Sequence, residues 1–236
     1  LSAISCRLTQ ITGKSKVPIH PKHLISQKQP EYLKYFKNNY KVLDLGCHAG
    51  EHTLKIYKKV KSIIAVDFDQ NQLNILKKEI QRKDIRNIKV VKVNAEEKLI
   101  FKDNFFEVVI FLDVLEHLNN RKQIMSEIYR VLKKNGILIL VTTNKNTTWK
   151  RIQKKAGLFY YSDPDHKIEF TEKQIKKIVE SKFKIQEFNY VSYDTPLAPV
   201  IDFVGGISLL LYKKLSDWKL NQHKKYPENA IGFLIV

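Results

Sequence analysis

Cysteine is nearly missing from this chain: Cys6 and Cys47 are the only two among 236 residues. Two thiols cannot staple a disulfide scaffold, and they fit a reducing compartment. Arginine is scarce as well. Lys and Arg total 42 against 24 Asp and Glu, a net charge of +18, yet only 6 of the cations are Arg. Long apolar runs are lacking: the stretch 197–212 is broken by Pro199, Asp202, Gly205 and Gly206, so no membrane-spanning helix is expected. The opening LSAISCRLTQITGKSK has no long apolar segment, so no signal peptide is expected. The chain begins on Leu1 rather than Met, which leaves its true start open. Two phosphate-binding patterns are absent, the dinucleotide G-x-G-x-x-G and the P-loop G-x-x-x-x-G-K-[ST]. Repeats and low-complexity linkers are absent too.

What remains is a globular composition. Apolar residues make up 43% and charged residues 28%, enough for a packed core in one domain, or one domain with a sizeable insertion. A net charge of +18 suits nucleic acid, anionic lipid or an acidic small molecule. The preference for Lys over Arg speaks for a solvated surface, because base and phosphate recognition leans on guanidinium forks. Positive charge concentrates in residues 1–41 and again in 144–162, where Lys145, Lys150, Arg151, Lys154 and Lys155 stand without an acid.

The middle of the chain alternates two patterns. KVLDL (41–45), SIIAVD (62–67), IKVVKV (88–93), FFEVVIFL (105–112) and GILILVTT (136–143) are short, Val/Ile/Phe-rich runs, as strands buried on both faces should be. Between them lie helical patterns. Asp69 can cap Leu73, Leu76 and Ile80, with Gln72 closing a capping box. Asn120 with Gln123 can cap Ile124, Ile128 and Leu132, and Lys133, Lys134 and Gly136 suit that helix's end. Thr171 with Gln174 opens a third, and KFKIQEFNY (182–190) follows as a strand. This alternation predicts an α/β sandwich around a parallel sheet, whose ligands bind beyond the carboxyl ends of the strands.

The informative residues therefore follow each strand. After the first come Asp44, Gly46, Cys47, His48 and Gly50, with a helix expected from about Glu51. The second ends in Asp67, where an acid can accept from both hydroxyls of a ribose. The third leads to Asn94, Ala95 and Glu96, and the fourth to Asp113, Glu116 and His117. A glycine loop preceded by Asp44 suits a cationic ligand and repels a pyrophosphate.

These motifs resemble class I S-adenosylmethionine-dependent methyltransferases, specifically the methyltransferase type 11 group that includes ubiquinone-biosynthesis-like enzymes. VLDLGCHAGEHT is similar to their first motif and AVDFD to the second. VNAEEKLIFKDNFFEVVIFLDVLEHL and EIYRVLKKNGILILVTTN are similar to the later ones, in order. The resemblance implies a three-layer Rossmann-like fold with a seven-stranded, mostly parallel sheet. Its last strand is antiparallel: AIGFLIV (230–236), beside KFKIQEFNY. It implies a single domain, with 1–39 as an N-terminal lid segment, 40–190 as the cofactor core, 191–228 as an insertion and 229–236 as the closing strand. The implied cofactor is S-adenosyl-L-methionine. Gly46, Cys47 and His48 line its methionine half, with Gly50 completing the loop and Asp44 acting on the amino group. Asp67 takes the ribose, Phe68 packs near the adenine, Asn94 and Ala95 reach the adenine edge, and Asp113 sits below the sulfonium. His48 replaces a customary Gly and Asn94 a customary acid.

Beyond the cofactor the alternatives stay open. His117 and His166 are candidate catalytic bases; Asp113, Glu116, His117 and His166 also contain the donor types of a metal site, although a satisfied His and a helix-start acid are the plainer reading. Tyr160, Tyr161 and Asp165 are substrate-site candidates, His20 and His23 candidates for a lid, and the basic loop 145–155 an electrostatic funnel or a solvated surface. Cys47 reads as a small loop residue rather than a nucleophile. The insertion 196–219 suits a pocket cap, a dimer contact or a membrane surface. The expected acceptor is a small molecule, lipid or glycan, in a cytoplasmic monomer or homodimer that allows peripheral membrane contact. A nucleic-acid methyltransferase and a non-catalytic nucleoside-binding module are the alternatives. Against the first, no Asn-Pro-Pro-Tyr-like element follows the fourth strand.

Overall fold

The computed structural model describes residues 2–16, 18, 20, 21, 24 and 30–236. Its strands are β1 (Lys41–Leu45), β2 (Ser62–Asp67), β3 (Ile88–Lys92), β4 (Phe106–Leu112), β5 (Leu132–Thr143), β6 (Phe188–Val191) and β7 (Gly232–Ile235). They form one sheet in the order β3-β2-β1-β4-β5-β7-β6. The pairs β1–β2, β2–β3, β1–β4 and β4–β5 are parallel. Beside β6 and β7 the sheet turns antiparallel. Glu187 and Val236 exchange both backbone hydrogen bonds, at 3.1 and 3.0 Å, and only an antiparallel ladder produces that reciprocity. The seven-stranded, mostly parallel sheet and its reversed last strand are those the resemblance implied.

Burial explains the order. Val42, Leu43 and Leu45 of β1 and Val108–Phe111 of β4 are essentially without solvent contact, so these central strands read as continuous apolar runs. β3 differs from the expectation of burial on both faces. It is an edge strand with Lys89 and Lys92 exposed, and such lysines discourage pairing with another chain. The sequence reverses direction across the sheet between β1 and β4, and that switch point opens a crevice at their carboxyl ends.

The helices are α1 (Ser2–Ile11), α2 (Thr53–Ile56), α3 (Gln70–Arg82), α4 (Arg121–Val131), α5 (Thr148–Lys155), α6 (Glu172–Glu180), α7 (Ala198–Ile207) and α8 (Leu209–Lys225). Asn120 caps α4 through the Gln123 amide, and Thr171 with Gln174 forms a full capping box on α6, both as expected. Thr171→Ala should cost about 1 kcal/mol in urea unfolding, with no effect on ligand affinity.

Other expectations need correction. Asp69 caps α3 through the Asn71 amide at 2.7 Å, one residue before the anticipated Gln72. The helix expected from Glu51 is only the four residues Thr53–Ile56, so it contributes little dipole. α4 ends at Val131, and β5 takes over at Leu132 with an irregular pairing to β4 before the regular register starts at Val108↔Ile137. The strand read over 182–190 starts only at Phe188, because Lys182 and Phe183 still bond to Val179 as the end of α6. The basic loop is largely the helix α5: Thr147 caps it, and Lys150 is buried with Nζ donating to the Asn144 carbonyl at 2.7 Å. Lys150 is therefore a structural cation, unavailable as part of an electrostatic funnel.

The chain gathers into two compact units. The first comprises 31–143, 161–189 and 233–236; the second comprises 1–30, 144–160 and 190–232. Residues 1–30 of the anticipated N-terminal segment, the basic loop and the insertion thus fall in one unit, while 31–39 fall in the other. Within the second unit α1 packs on α7, and α7 on α8. No helix among the described residues is long and apolar enough to cross a membrane.

Candidate active site

The site is built on the first unit, at the carboxyl ends of β1, β2 and β4. The chain leaves β1 through Gly46, whose φ of +80° suits glycine. A Cβ there would lie 2.3 Å from Cγ2 of Val114, so side-chain packing as well as conformation demands Gly. The Gly46 and Cys47 amides both donate to the Val66 carbonyl, at 2.8 and 2.9 Å, which ties the loop to the end of β2. His48 follows at φ +47°, a left-handed conformation at the position where the resemblance places a customary Gly. Gly50, at φ +84°, ends the turn against Leu76.

Asp67 locks this arrangement. Its Oδ2 accepts from the His48 amide at 2.8 Å and its Oδ1 from the Asp69 amide at 2.9 Å. One carboxylate thereby holds the first loop and the start of α3, and each oxygen keeps a further lone pair for a ligand hydroxyl. Asp44 lies buried below, with Oδ2 accepting from the Thr53 hydroxyl at 2.5 Å. Burial raises its carboxyl to about 6, the Thr53 bond opposes that rise, and the Asp67 charge adds to it. Cys47 is buried, and desolvation together with the charges of Asp44 and Asp67 keeps its thiol protonated well above the usual range. A nucleophilic role for it is thus disfavoured.

The adenine-side candidates are more open. Phe68 is 71% exposed, a flat apolar face free for stacking beside Asp67. Asn94 is exposed too, and its side chain serves its own turn, accepting from the Glu96 amide at 3.0 Å and donating to Glu97 at 3.1 Å. Ala95 beside it is half-buried.

A second group surrounds the end of β4. Asp113 also has a left-handed backbone, φ +54°. It is reached by solvent yet hemmed in by protein, as a side chain in a concave mouth is; desolvation raises its carboxyl, and His166 and His117 pull it back. Glu116 is fully buried rather than a solvated helix-start acid. It accepts from the hydroxyls of Thr142 at 3.0 Å and Thr143 at 3.4 Å, and burial plus the Asp113 charge raise it to about 7. The His117 and His166 rings meet edge to face at 4.7 Å. His166 Nδ1 donates to Glu169 Oε1 at 3.0 Å, and His117 Nδ1 donates to the Asp165 carbonyl at 3.3 Å. Among the described residues no three His, Cys, Asp or Glu side chains are grouped to hold an ion.

Three contributors escaped the sequence reading. Glu169 is fully buried, holds His166 and accepts from the Ser162 amide at 2.6 Å. Thr53 is the hydroxyl on Asp44. Tyr32, on a 3-10 turn at Glu31–Tyr35, is buried with its hydroxyl bonded to His52 Nδ1. Desolvation, then the charges of Asp44, Glu51 and Asp113, raise its phenol, so this Tyr stands within electrostatic reach of the donor loop. His20 pairs with Asp202 at 3.3 Å within the second unit, and His23 falls outside the described residues. Tyr160 belongs to the second unit, under Lys154, whereas Tyr161 and Asp165 stay in the first.

The donor set suits S-adenosylmethionine. Asp44, Asp67 and the glycine turn gather at the carboxyl ends of β1 and β2, and Asp113 follows β4, the end of a parallel sheet at which ligands bind. Comparisons with known proteins agree. Residues 43–140 match the model of a methyltransferase domain family. An uncharacterised protein of Methanocaldococcus jannaschii is 32% identical over 90% of this chain and 85% of its own length. A demethylmenaquinone methyltransferase of Listeria welshimeri is 26% identical over 55% of this chain, a match spanning only 57% of that relative. Among solved structures, a SAM-dependent methyltransferase of Methanosarcina mazei superimposes with a TM-score of 0.62 at 19% identity, covering 89% of this chain and 97% of that one; at such identity it attests the fold alone. Ordered motifs, sheet topology, donor loop and family match converge: this chain belongs to the class I S-adenosylmethionine-dependent methyltransferases, and S-adenosylmethionine is its cofactor.

Proposed function

We propose that this methyltransferase acts on a small-molecule acceptor whose attacking atom gives up a proton to His166 or His117. Gly46, Cys47, His48 and Gly50 hold the methionine half of the cofactor by backbone contacts, with Asp44 behind its amino group. Asp67 binds the ribose, Phe68, Asn94 and Ala95 border the adenine, and Asp113 faces the sulfonium. The cofactor supplies a methyl group already activated by positively charged sulfur. The protein's work is then to align the acceptor near 3 Å and exclude water. With the cofactor bound, His166 or His117 would accept the proton that the acceptor gives up as it takes the methyl group.

The observation that carries this reading is the pair of abutting imidazoles, each held at Nδ1, beside Asp113 at the end of β4. A relative named for demethylmenaquinone supports a small-molecule acceptor of quinone type. The test has two parts. Calorimetry should show S-adenosylhomocysteine binding to the purified protein. Methyl-labelled donor should then mark reduced demethylmenaquinone in wild type, with slower turnover and unchanged donor affinity in His166→Ala. Donor binding without transfer to that acceptor removes the acceptor class. No donor binding removes the whole assignment.

A further inference from the structure

The second unit carries net +11 of the chain's +18, with fifteen Lys and Arg against four Asp and Glu. It also presents large apolar side chains to solvent in one continuous run. On α7, Val200, Phe203 and Ile207 are 53%, 39% and 52% exposed. Their spacing of three and four residues places them in a single stripe. Past the extended Ser208, in the first turn of α8, Leu210 and Leu211 are 68% and 52% exposed. Lys213 and Lys214 follow, both exposed. Leu211, Lys214 and the half-exposed Trp218 lie on one face of α8 by the same spacing. The acid of α7, Asp202, sits off this stripe and pairs with His20. Scattered exposed leucines need no explanation, but a contiguous apolar corner rimmed by cations marks a docking surface.

We propose that this α7–α8 corner docks on an anionic phospholipid surface, the apolar stripe entering the headgroup boundary and Lys213 and Lys214 meeting lipid phosphates. Charge selects the occupant. A second copy of the same face would bring another +11 unit against the first, whereas an anionic bilayer attracts both the corner and the unit behind it. The ten residues of α7 are too few to cross a bilayer and suit a helix lying in its plane. The inference goes beyond methyl transfer and does not depend on the acceptor.

The test floats the full chain with vesicles of phosphatidylcholine alone or mixed with phosphatidylglycerol. The protein should rise with the anionic vesicles only and be released by salt. Leu210→Ser/Leu211→Ser should lower its partition about tenfold or more. Both side chains are exposed, so melting temperature and S-adenosylhomocysteine affinity should hold. In Trp149→Phe, Trp218 is the remaining tryptophan, and its emission should move to the blue on anionic vesicles. Absence of co-flotation at low salt, or unchanged partition in the double variant, overturns the proposal. So does a dimer, seen by sedimentation, that the double variant dissociates, because the corner then belongs to a second copy.

Discussion

Asp67→Ala should leave a folded protein that has lost S-adenosylhomocysteine affinity by at least about a hundredfold. Two effects add. The ribose loses a charged acceptor for both hydroxyls, and hydrogen bonds to charged groups are worth roughly 1.5–3 kcal/mol each. The site also loses its tie, because the amides of His48 and Asp69 are held by the two oxygens of this one carboxylate. Two orphaned amides should lower stability by roughly 1–3 kcal/mol in urea unfolding. Asp69→Ala is the control: it removes the cap of α3, costs about 1 kcal/mol, and should leave the affinity near wild type. Calorimetry on both variants decides the matter. Wild-type affinity in folded Asp67→Ala would falsify the assigned ribose contact and with it the placement of the donor.

Much of this site was legible because strand ends announce themselves. An apolar run that stops at Gly46 or Asp67 gives both the sheet and the location of its ligand crevice, since residues beyond a parallel strand's carboxyl end must face that crevice. The left-handed backbone at His48 fits a position where the resemblance places a customary Gly. The helix caps Asn120 and Thr171 were readable from spacing alone, because a side chain that bonds to an amide three residues on is a local device.

What was not legible depended on long-range packing. Glu116 stands where acids ordinarily begin helices in solvent, and nothing local says that Thr142 and Thr143, 26 and 27 residues on, would receive it in the core. Glu169 sits in a polar stretch, PDHKIEF, that reads as surface; only the fold turns it inward onto His166. Tyr32 lies before the first strand and meets the donor loop by tertiary contact alone. Lys150 misled in the opposite sense. A cation among cations reads as solvated surface, yet Thr147 starts a helix there and directs its Nζ back to a backbone carbonyl.

Glu116→Gln should make the ligand-free protein more stable at pH 8, although it alters a fully buried hydrogen-bonded residue. The sign follows from the proton balance. Burial and the neighbouring Asp113 charge lift the Glu116 carboxyl to about 7 in the fold, against an ordinary 4.5. Between those two values the folded state holds a proton that the unfolded chain has released, so stability declines as pH rises through that window and levels off above it. Asp44, lifted to about 6 from 3.8, adds to the same decline over its lower part. The full difference at Glu116 corresponds to roughly 3 kcal/mol, which in a chain of this size is about 5–10 °C of melting temperature. Wild type should therefore melt progressively lower from pH 5 to pH 8. Glu116→Gln, which keeps an acceptor for Thr142 and never acquires a charge, should lose most of that slope and melt above wild type at pH 8, while the two converge near pH 5. A variant that melts below wild type at pH 8 with the slope intact would mean that Glu116 stays ionised in the core, stabilised there by Thr142 and Thr143. The repulsion assigned between it and Asp113 would then be wrong, and the electrostatics of the crevice beside His117 and His166 would have to be redrawn around two permanent charges.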